Sequence, residues 1–435
     1  MFHYYLGLGL RSLRRNPMLT ALMILTIGVG VAATVSTTGV LLVMSGNPIP
    51  HKSDRLMVPL LDNRPVDGPE VDFPDQLSYL DASRLLEDAR AERQTAIFGV
   101  SAIVESGRSD FPPSFADGLA VTSDFFPIFD VPFRFGGPWD ADSERQRAQV
   151  VVLSSELSQE LFGHEDPTGK PLRINNLDFT IAGVLDDWRP VMRYYRLIGG
   201  NQTFRETEGV FMPFDTAIGL EYRNQGSTSC NGGRVDPGYD GLLRSECIWI
   251  QYWAQLSSAA ERESYGDYLA AYIGSQKELG RFPREPAYRL HPLMSWLEER
   301  GVVGRDTRLQ AWLAFGFLLV CLVNTVGLML AKFTAKAGEV GVRRAVGATR
   351  TELFQQLLVE AGVVGLAGGL AGLVLSFGGL WLIGRQSQSI ANIATMNMQM
   401  LAGALALALA ASLLAGLLPT WRAVQVRPAL QLKSQ

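Results

Sequence analysis

Gly338-Glu-Val-Gly-Val-Arg-Arg-Ala-Val-Gly-Ala-Thr-Arg350 lies between two long apolar runs, and its reading decides how the chain is organised. Three arginines, a glutamate and three glycines are too polar for hydrocarbon, so the apolar runs on either side are separate elements joined outside a bilayer. The small residues and arginines are more patterned than a plain connector needs, and a helix there offers a compact, charged knob to a partner. Working outward, four windows hold the roughly 20 mostly apolar residues that cross about 30 Å of hydrocarbon: 18–44, 309–333, 357–383 and 401–418. Lipid satisfies no backbone group, so each window is expected to be a helix.

A chain of 435 residues with 47% hydrophobic residues suits a membrane protein that carries a large water-soluble part. The first window follows Arg11, Arg14 and Arg15; it is too long for a signal-peptide core and lacks an Ala-x-Ala-like cleavage site, so an uncleaved anchor is expected. Lys332, Lys336, Arg343, Arg344, Arg350, Arg422, Arg427 and Lys433 flank the other windows on the same side, whereas the connector after the third window holds only Arg385. This bias places both termini in the cytoplasm. Of the chain's 39 Lys/Arg and 43 Asp/Glu, all but twelve bases and three acids lie between Gly46 and Arg308. That external segment is strongly acidic, which excludes the basic footprint of a nucleic-acid binder. It also holds Cys230 and Cys247, flanking a polar, Gly-rich stretch, while Cys321 falls inside the second window. An oxidising compartment would let the first two pair, closing a loop worth roughly 3 kcal/mol on the chain-entropy model; the alternative is two unrelated buried thiols.

Several stretches resemble one family in order. Glu-Val-Gly-Val-Arg-Arg-Ala-Val-Gly-Ala-Thr (339–349) resembles the cytoplasmic coupling region of FtsX-like permeases of the MacB type, ABC transporter permeases of type VII. LRSLRRNPMLTALMILTIGVGVA (10–32) is similar to the family's start, where a surface helix runs into the first span, and LPTWRAVQVRPAL (418–430) to its closing motif. VTSDFFPIFDVPFRFGGPW (121–139), VVLSSELSQELFGHEDPTGKPLRINNLDFTIAGVLDDW (151–188) and GVFMPFD (209–215) follow the order of MacB-type periplasmic core domains. The likeness weakens between Ile218 and Pro286, a stretch that includes the two external cysteines.

The fold class that follows is an α-helical membrane protein with four transmembrane helices and a large α+β periplasmic domain between the first and second. The expected division is a cytoplasmic amphipathic helix at 1–17, the first span and stalk start at 18–45, a periplasmic core domain at 46–292, and stalk plus second span at 293–333. A cytoplasmic coupling segment at 334–356, the third span at 357–384, a short periplasmic connector at 385–399, the fourth span at 400–422 and a cytoplasmic tail at 423–435 complete it. Within the external segment, 148–154 and 179–185 read as strands, and 156–162 and 81–93 as short helices. The run 293–308 reads as a helix that continues into the second span. Gly365 with Gly369, and Gly368 with Gly372, fit small-xxx-small packing, either within the chain or at a dimer seam. Glu360, near the cytoplasmic end of the third span, reads as a partner for nearby arginines.

Other chemistries find little to stand on. Gly163 to Pro171 imitates a P-loop, but five residues separate its glycines and proline follows Lys170, which removes an N–H and supplies no hydroxyl for magnesium. No charge sits near a span's midplane, against a proton-coupled carrier. His51, His164 and His291 form no metal-ligand spacing, Ser154 and Ser155 lack a nucleophile elbow, and Asp186 and Asp187 read as surface acids. A non-catalytic chain without its own metal or cofactor is expected.

The resemblance implies that Glu339, Gly341, Arg343, Arg344, Gly347, Ala348 and Thr349 dock into a cytoplasmic ABC ATPase dimer, which binds the ATP and magnesium. Arg343, Arg344 and Arg350 serving topology alone is the competing account. The resemblance also implies a second permease protomer, identical or related, an inner-membrane location among lipids, and engagement of a periplasmic adaptor and outer-membrane channel. The function so implied is mechanotransmission that drives efflux of a peptide, antibiotic or other amphiphile; the alternatives are lipoprotein release, or regulation of a cell-wall hydrolase or sensor without transport.

Overall fold

The computed structural model describes residues 7, 11–12, 16–67, 72–105, 112–197, 207–230, 235–302, 305–386 and 398–425. The body of the expected N-terminal amphipathic helix, most of the connector after the third span and the end of the tail lie outside these residues. The chain divides into two compact units, Met1–Gly46 with Val303–Gln435, and Asn47–Val302.

Among the described residues, the first unit contains four apolar helices, Pro17–Ser45, Arg305–Ala335, Arg350–Gln386 and Met398–Val424. Each includes a stretch long and apolar enough to cross a membrane. The third helix packs on the first and fourth, and the second also packs on both. Between apolar helices in lipid no hydrophobic force remains, so close approach of small residues supplies the contact. A Cβ added at Gly372 would stand 2.9 Å from the Gly28 carbonyl oxygen, and one at Gly368 would stand 2.8 Å from Ile27 Cγ2, so this pair of glycines seats the first helix. One turn round the third helix, a Cβ at Gly369 would meet Ala408 Cβ at 2.7 Å and one at Gly365 would collide with Ser412, which seats the fourth. Both glycine pairs are therefore occupied by packing within the chain.

The third helix starts at Arg350, well before the apolar window, because an exposed polar cap begins it: Thr349 Oγ1 accepts from the Glu352 amide at 3.2 Å and Glu352 Oε2 accepts from the Thr349 amide at 2.9 Å. This reciprocal capping box satisfies two of the helix's orphan donors. The run 293–308 is not one helix. Leu293–Glu299 closes in a Schellman turn, with Gly301 at φ +59°, its amide on the Glu298 carbonyl at 3.0 Å, and the Val302 amide on the Leu297 carbonyl at 3.1 Å. The left-handed residue ends the helix, which belongs to the external unit and not to the second span.

Among the described residues, the external unit is built on eleven strands: β1 Leu56–Leu61, β2 Leu77–Ser78, β3 Arg93–Glu105, β4 Ser114–Val121, β5 Phe133–Gly136, β6 Val150–Leu153, β7 Pro171–Ile174, β8 Leu177–Leu185, β9 Val210–Pro213, β10 Ile248–Gln255 and β11 Tyr288–Pro292. Their order is β11-β1-β10-β3-β4-β9-β6-β8-β5, with β2 on β10. β7 pairs with both β8 and the far end of β3, so β3, β4, β9, β6, β8 and β7 close a six-stranded ring. Within the ring, closure removes open edges that could otherwise recruit another chain, while β11 and β5 end the strand order. Alternate residues of the ring strands, among them Val104, Ala116, Val151, Leu172, Ile181 and Met212, share one buried cluster. Their neighbours Ile97, Leu119, Val152 and Phe211 belong to a second, aromatic-rich cluster with Phe125, Phe129 and Trp253. The period of two in strand side chains thus divides one sheet between two cores.

Candidate functional site

The polar stretch between the second and third apolar helices folds as a short helix, Ala337–Ala345, followed by a turn. Its end is another Schellman motif: Gly347 takes φ +108°, its amide donates to the Arg344 carbonyl at 3.2 Å, and the Ala348 amide donates to the Arg343 carbonyl at 3.0 Å. Glycine at this position avoids the Cβ penalty of a left-handed backbone. The helix sits edge-on between interior and solvent. Val340 and Gly341 are buried, whereas Val342 is 55% exposed and Val346, just beyond, 84% exposed.

The seven residues read as the docking element occupy different places. Arg343 turns back on the chain, donating to Glu339 at 2.7 Å and to Gln356 of the third helix at 2.9 Å. Glu339 and Arg343 are one turn apart, the spacing at which opposite charges meet on a helix. Gly341 faces inward, Gly347 makes the turn, Ala348 packs against the apolar unit's core, and Thr349 caps the next helix. Arg344 is half-buried. Val342 and Val346, the exposed large apolar residues of the segment, are ones that charge and glycine patterning passed over; their spacing of four along a helix is the signal that could have found them.

Beneath the short helix lies a buried charge cluster. Glu360 pairs with Lys332 at 2.8 Å and accepts from Lys336 at 2.9 and 3.0 Å, and Ser12 donates to the same carboxylate. The partners of Glu360 are thus lysines and not arginines. Lys332 and Lys336 share a helix face by their spacing of four, and that face meets the third helix where Glu360 points inward.

In the external unit Cys230 and Cys247 form a disulfide, 17 residues apart, beside a two-way backbone pairing of Ser229 and Ile248. Cys321 is buried as a free thiol. The P-loop imitation is a turn into β7: Asp166 accepts from the Thr168 amide and hydroxyl at 2.9 and 2.8 Å, which leaves that carboxylate below the usual range. His51 lies 2.7 Å from Asp130, and His291 lies 2.9 Å from Glu299. Asp187 pairs with Arg189 at 2.7 Å on the surface.

Four apolar helices, an α+β unit inserted after the first and a capped polar helix–turn between the second and third define a permease-type membrane chain. The family model described as MacB-like periplasmic core domain matches residues 20–271, and the FtsX-like permease C-terminal model matches residues 311–428. The chain belongs to the MacB/FtsX-like permease family of ABC transporters. The first match runs through the disulfide loop, where the motifs are weakest. Among curated relatives, the macrolide export ATP-binding/permease protein MacB of Escherichia coli (strain K12) is 25% identical over 392 residues, covering 86% of this chain and 52% of the relative. MacB of Burkholderia cenocepacia (strain HI2424) is 27% identical over 259 residues, covering 59% of this chain and 33% of the relative. The chain therefore spans about half the length of the Escherichia coli relative it matches. The solved periplasmic region of MacB from Actinobacillus actinomycetemcomitans aligns at 15% identity and a TM-score of 0.35, covering 57% of this chain and 94% of that one.

Proposed function

We propose that the chain is the non-catalytic permease subunit of an ABC transporter that receives force from a separate cytoplasmic ATPase pair at residues 339–349. It passes that force to the external domain, which expels a peptide, antibiotic or other amphiphile from the periplasmic side of the inner membrane. The observation that carries this reading is the short helix Ala337–Ala345: it is polar, capped at its end, exposed at Val342 and Val346, and set between two apolar helices. Membership of the permease family supports the ATPase as the partner, and the export function printed for the relatives supports efflux. A second copy of the chain, or a related permease, would complete the two-fold arrangement that an ATPase pair requires. ATP and magnesium stay with the partner, and an adaptor reaching an outer-membrane channel would carry the product away.

Capture of this chain from its native membrane in mild detergent, with mass spectrometry of what comes with it, tests the reading. An ABC ATPase is expected in the wild-type eluate and is expected to be lost with Val342→Asp plus Val346→Asp, while the variant still inserts. If no ATPase appears under conditions that preserve a known permease complex, the reading is wrong.

A further inference from the structure

The second apolar helix ends at Ala335 and the short helix begins at Ala337, so Lys336 alone separates them, with φ −94° and ψ 2°. A one-residue break is where a few torsion angles can absorb a large displacement, and a push on the short helix would be dissipated there. The side chains oppose that swing. Lys336 Nζ donates to both oxygens of Glu360 and to Ser12 Oγ, the latter at 2.8 Å, and Lys332, one turn before the break, reaches the same carboxylate. Past the break, Arg343 donates to Gln356. Gln356 and Glu360 are four residues apart and therefore share one face of the third helix.

We infer that Gln356 and Glu360 are positioning residues that clasp the short helix on both sides of Lys336, so that it moves as one rigid piece with the third helix. The inference rests on the reading of 339–349 as the site that receives force; the clasp itself consists only of contacts within the chain. Topology does not require Glu360, since acidic residues contribute little to orientation. Apolar packing would fill its place without desolvating a carboxylate and two ammoniums, so the use of an ionic cluster here fits a fixed register better than added stability. Charge-assisted hydrogen bonds are short and directional, which is what a clasp needs.

The test is amide hydrogen exchange of the full chain in lipid nanodiscs, read over residues 337–345, with the external strands as an internal control of folding. Glu360→Gln is expected to speed exchange in that segment by about tenfold or more, the factor set by losing one charge-assisted hydrogen bond, with the strands unchanged. Glu360→Asp, which keeps the negative charge for both Lys332 and Lys336, is expected to retain much of the protection that Glu360→Gln loses, which a role in packing alone would not do. If Glu360→Gln fails to fold, Gln356→Ala reports on the other arm of the clasp in the same segment. Unchanged exchange in Glu360→Gln, or acceleration in Glu360→Asp as large as in Glu360→Gln, overturns the inference. ATPase capture by the wild-type chain is scored separately: its absence would count against the docking reading and leave the exchange result standing.

Discussion

At Glu208 a carboxylate with no solvent exposure accepts from Arg193 at 2.8 Å, Arg196 at 3.0 Å and the Tyr195 hydroxyl at 2.7 Å. Burial alone would raise its pKa, but Arg193 and then Arg196 outweigh burial and hold it below the usual glutamate range. The same burial, with the Glu208 charge beside it, pushes the Tyr195 phenol well up. The cluster joins the residues before and after 198–206 and reaches β3, where a Cβ on Gly99 would fall 1.8 Å from Arg196 Nη2. Glu208→Gln would leave two guanidiniums without their counter-charge and is expected to cost about 3 kcal/mol of stability. Because the folded pKa is depressed, the wild-type contribution is complete above the ordinary value of about 4.3 and is lost as pH falls through the folded value. Tryptophan fluorescence during acid titration of the detergent-solubilised chain should show this: the variant starts less stable at neutral pH and loses less on acidification. Parallel curves for the two proteins would refute the assignment.

Thr349 shows how one side chain sets where an element begins. Its hydroxyl and the Glu352 carboxylate cap each other's backbone amides, so Thr349→Ala is expected to cost about 1 kcal/mol and to fray the first turn of the third helix. Hydrogen exchange at 350–354 would rise while the apolar interior of the helix stays protected; no change there would mean that packing alone fixes the start. The spans were legible because about 20 consecutive apolar residues are the strongest signal a sequence carries. The start of the third helix was written in Thr349-x-x-Glu352, but a hydropathy criterion registers lipid contact and not a helix standing in water. β6 and β8 were readable near their observed limits from β-branched runs, whereas the expected helix over 81–93 runs instead from Tyr79 to Asp88 and stops at Ala89, which takes φ +47°. Ring closure through β7 and β3 left no trace in the sequence, because pairing Val104 with Ile174 is a long-range event without periodicity of its own. The lysine partners of Glu360 were hidden likewise: which base reaches an acid on another helix depends on register, and charge counting does not supply it.

For the molecule as a whole, the force that the proposed function assigns to 339–349 would leave the apolar unit along helices that touch or join the short helix. The short helix is held to the third helix by Arg343–Gln356 and Lys336–Glu360. The third helix meets the first backbone to backbone where Gly372 faces Gly28 and Gly368 faces Ile27, and the first helix runs directly into the external unit at Asn47. Interdigitated backbones transmit displacement well because they have little room to compress. A larger side chain at this crossing should therefore separate reception of force from its delivery. In Gly372→Leu, even the first added carbon lies 2.9 Å from the Gly28 oxygen and 3.1 Å from Val31 Cβ, so the helices must part. ATPase capture is expected to remain at the wild-type level, since residues 339–349 are untouched. Limited proteolysis of the captured complex, with and without ATP, reads delivery without knowledge of the substrate: ATP should alter the cleavage pattern of residues 47–302 in the wild type and not in the variant. An ATP-dependent pattern that survives Gly372→Leu would rule out the crossing of the first and third helices as the route and leave the second helix, Arg305–Ala335, which ends beside Lys336, to carry the movement.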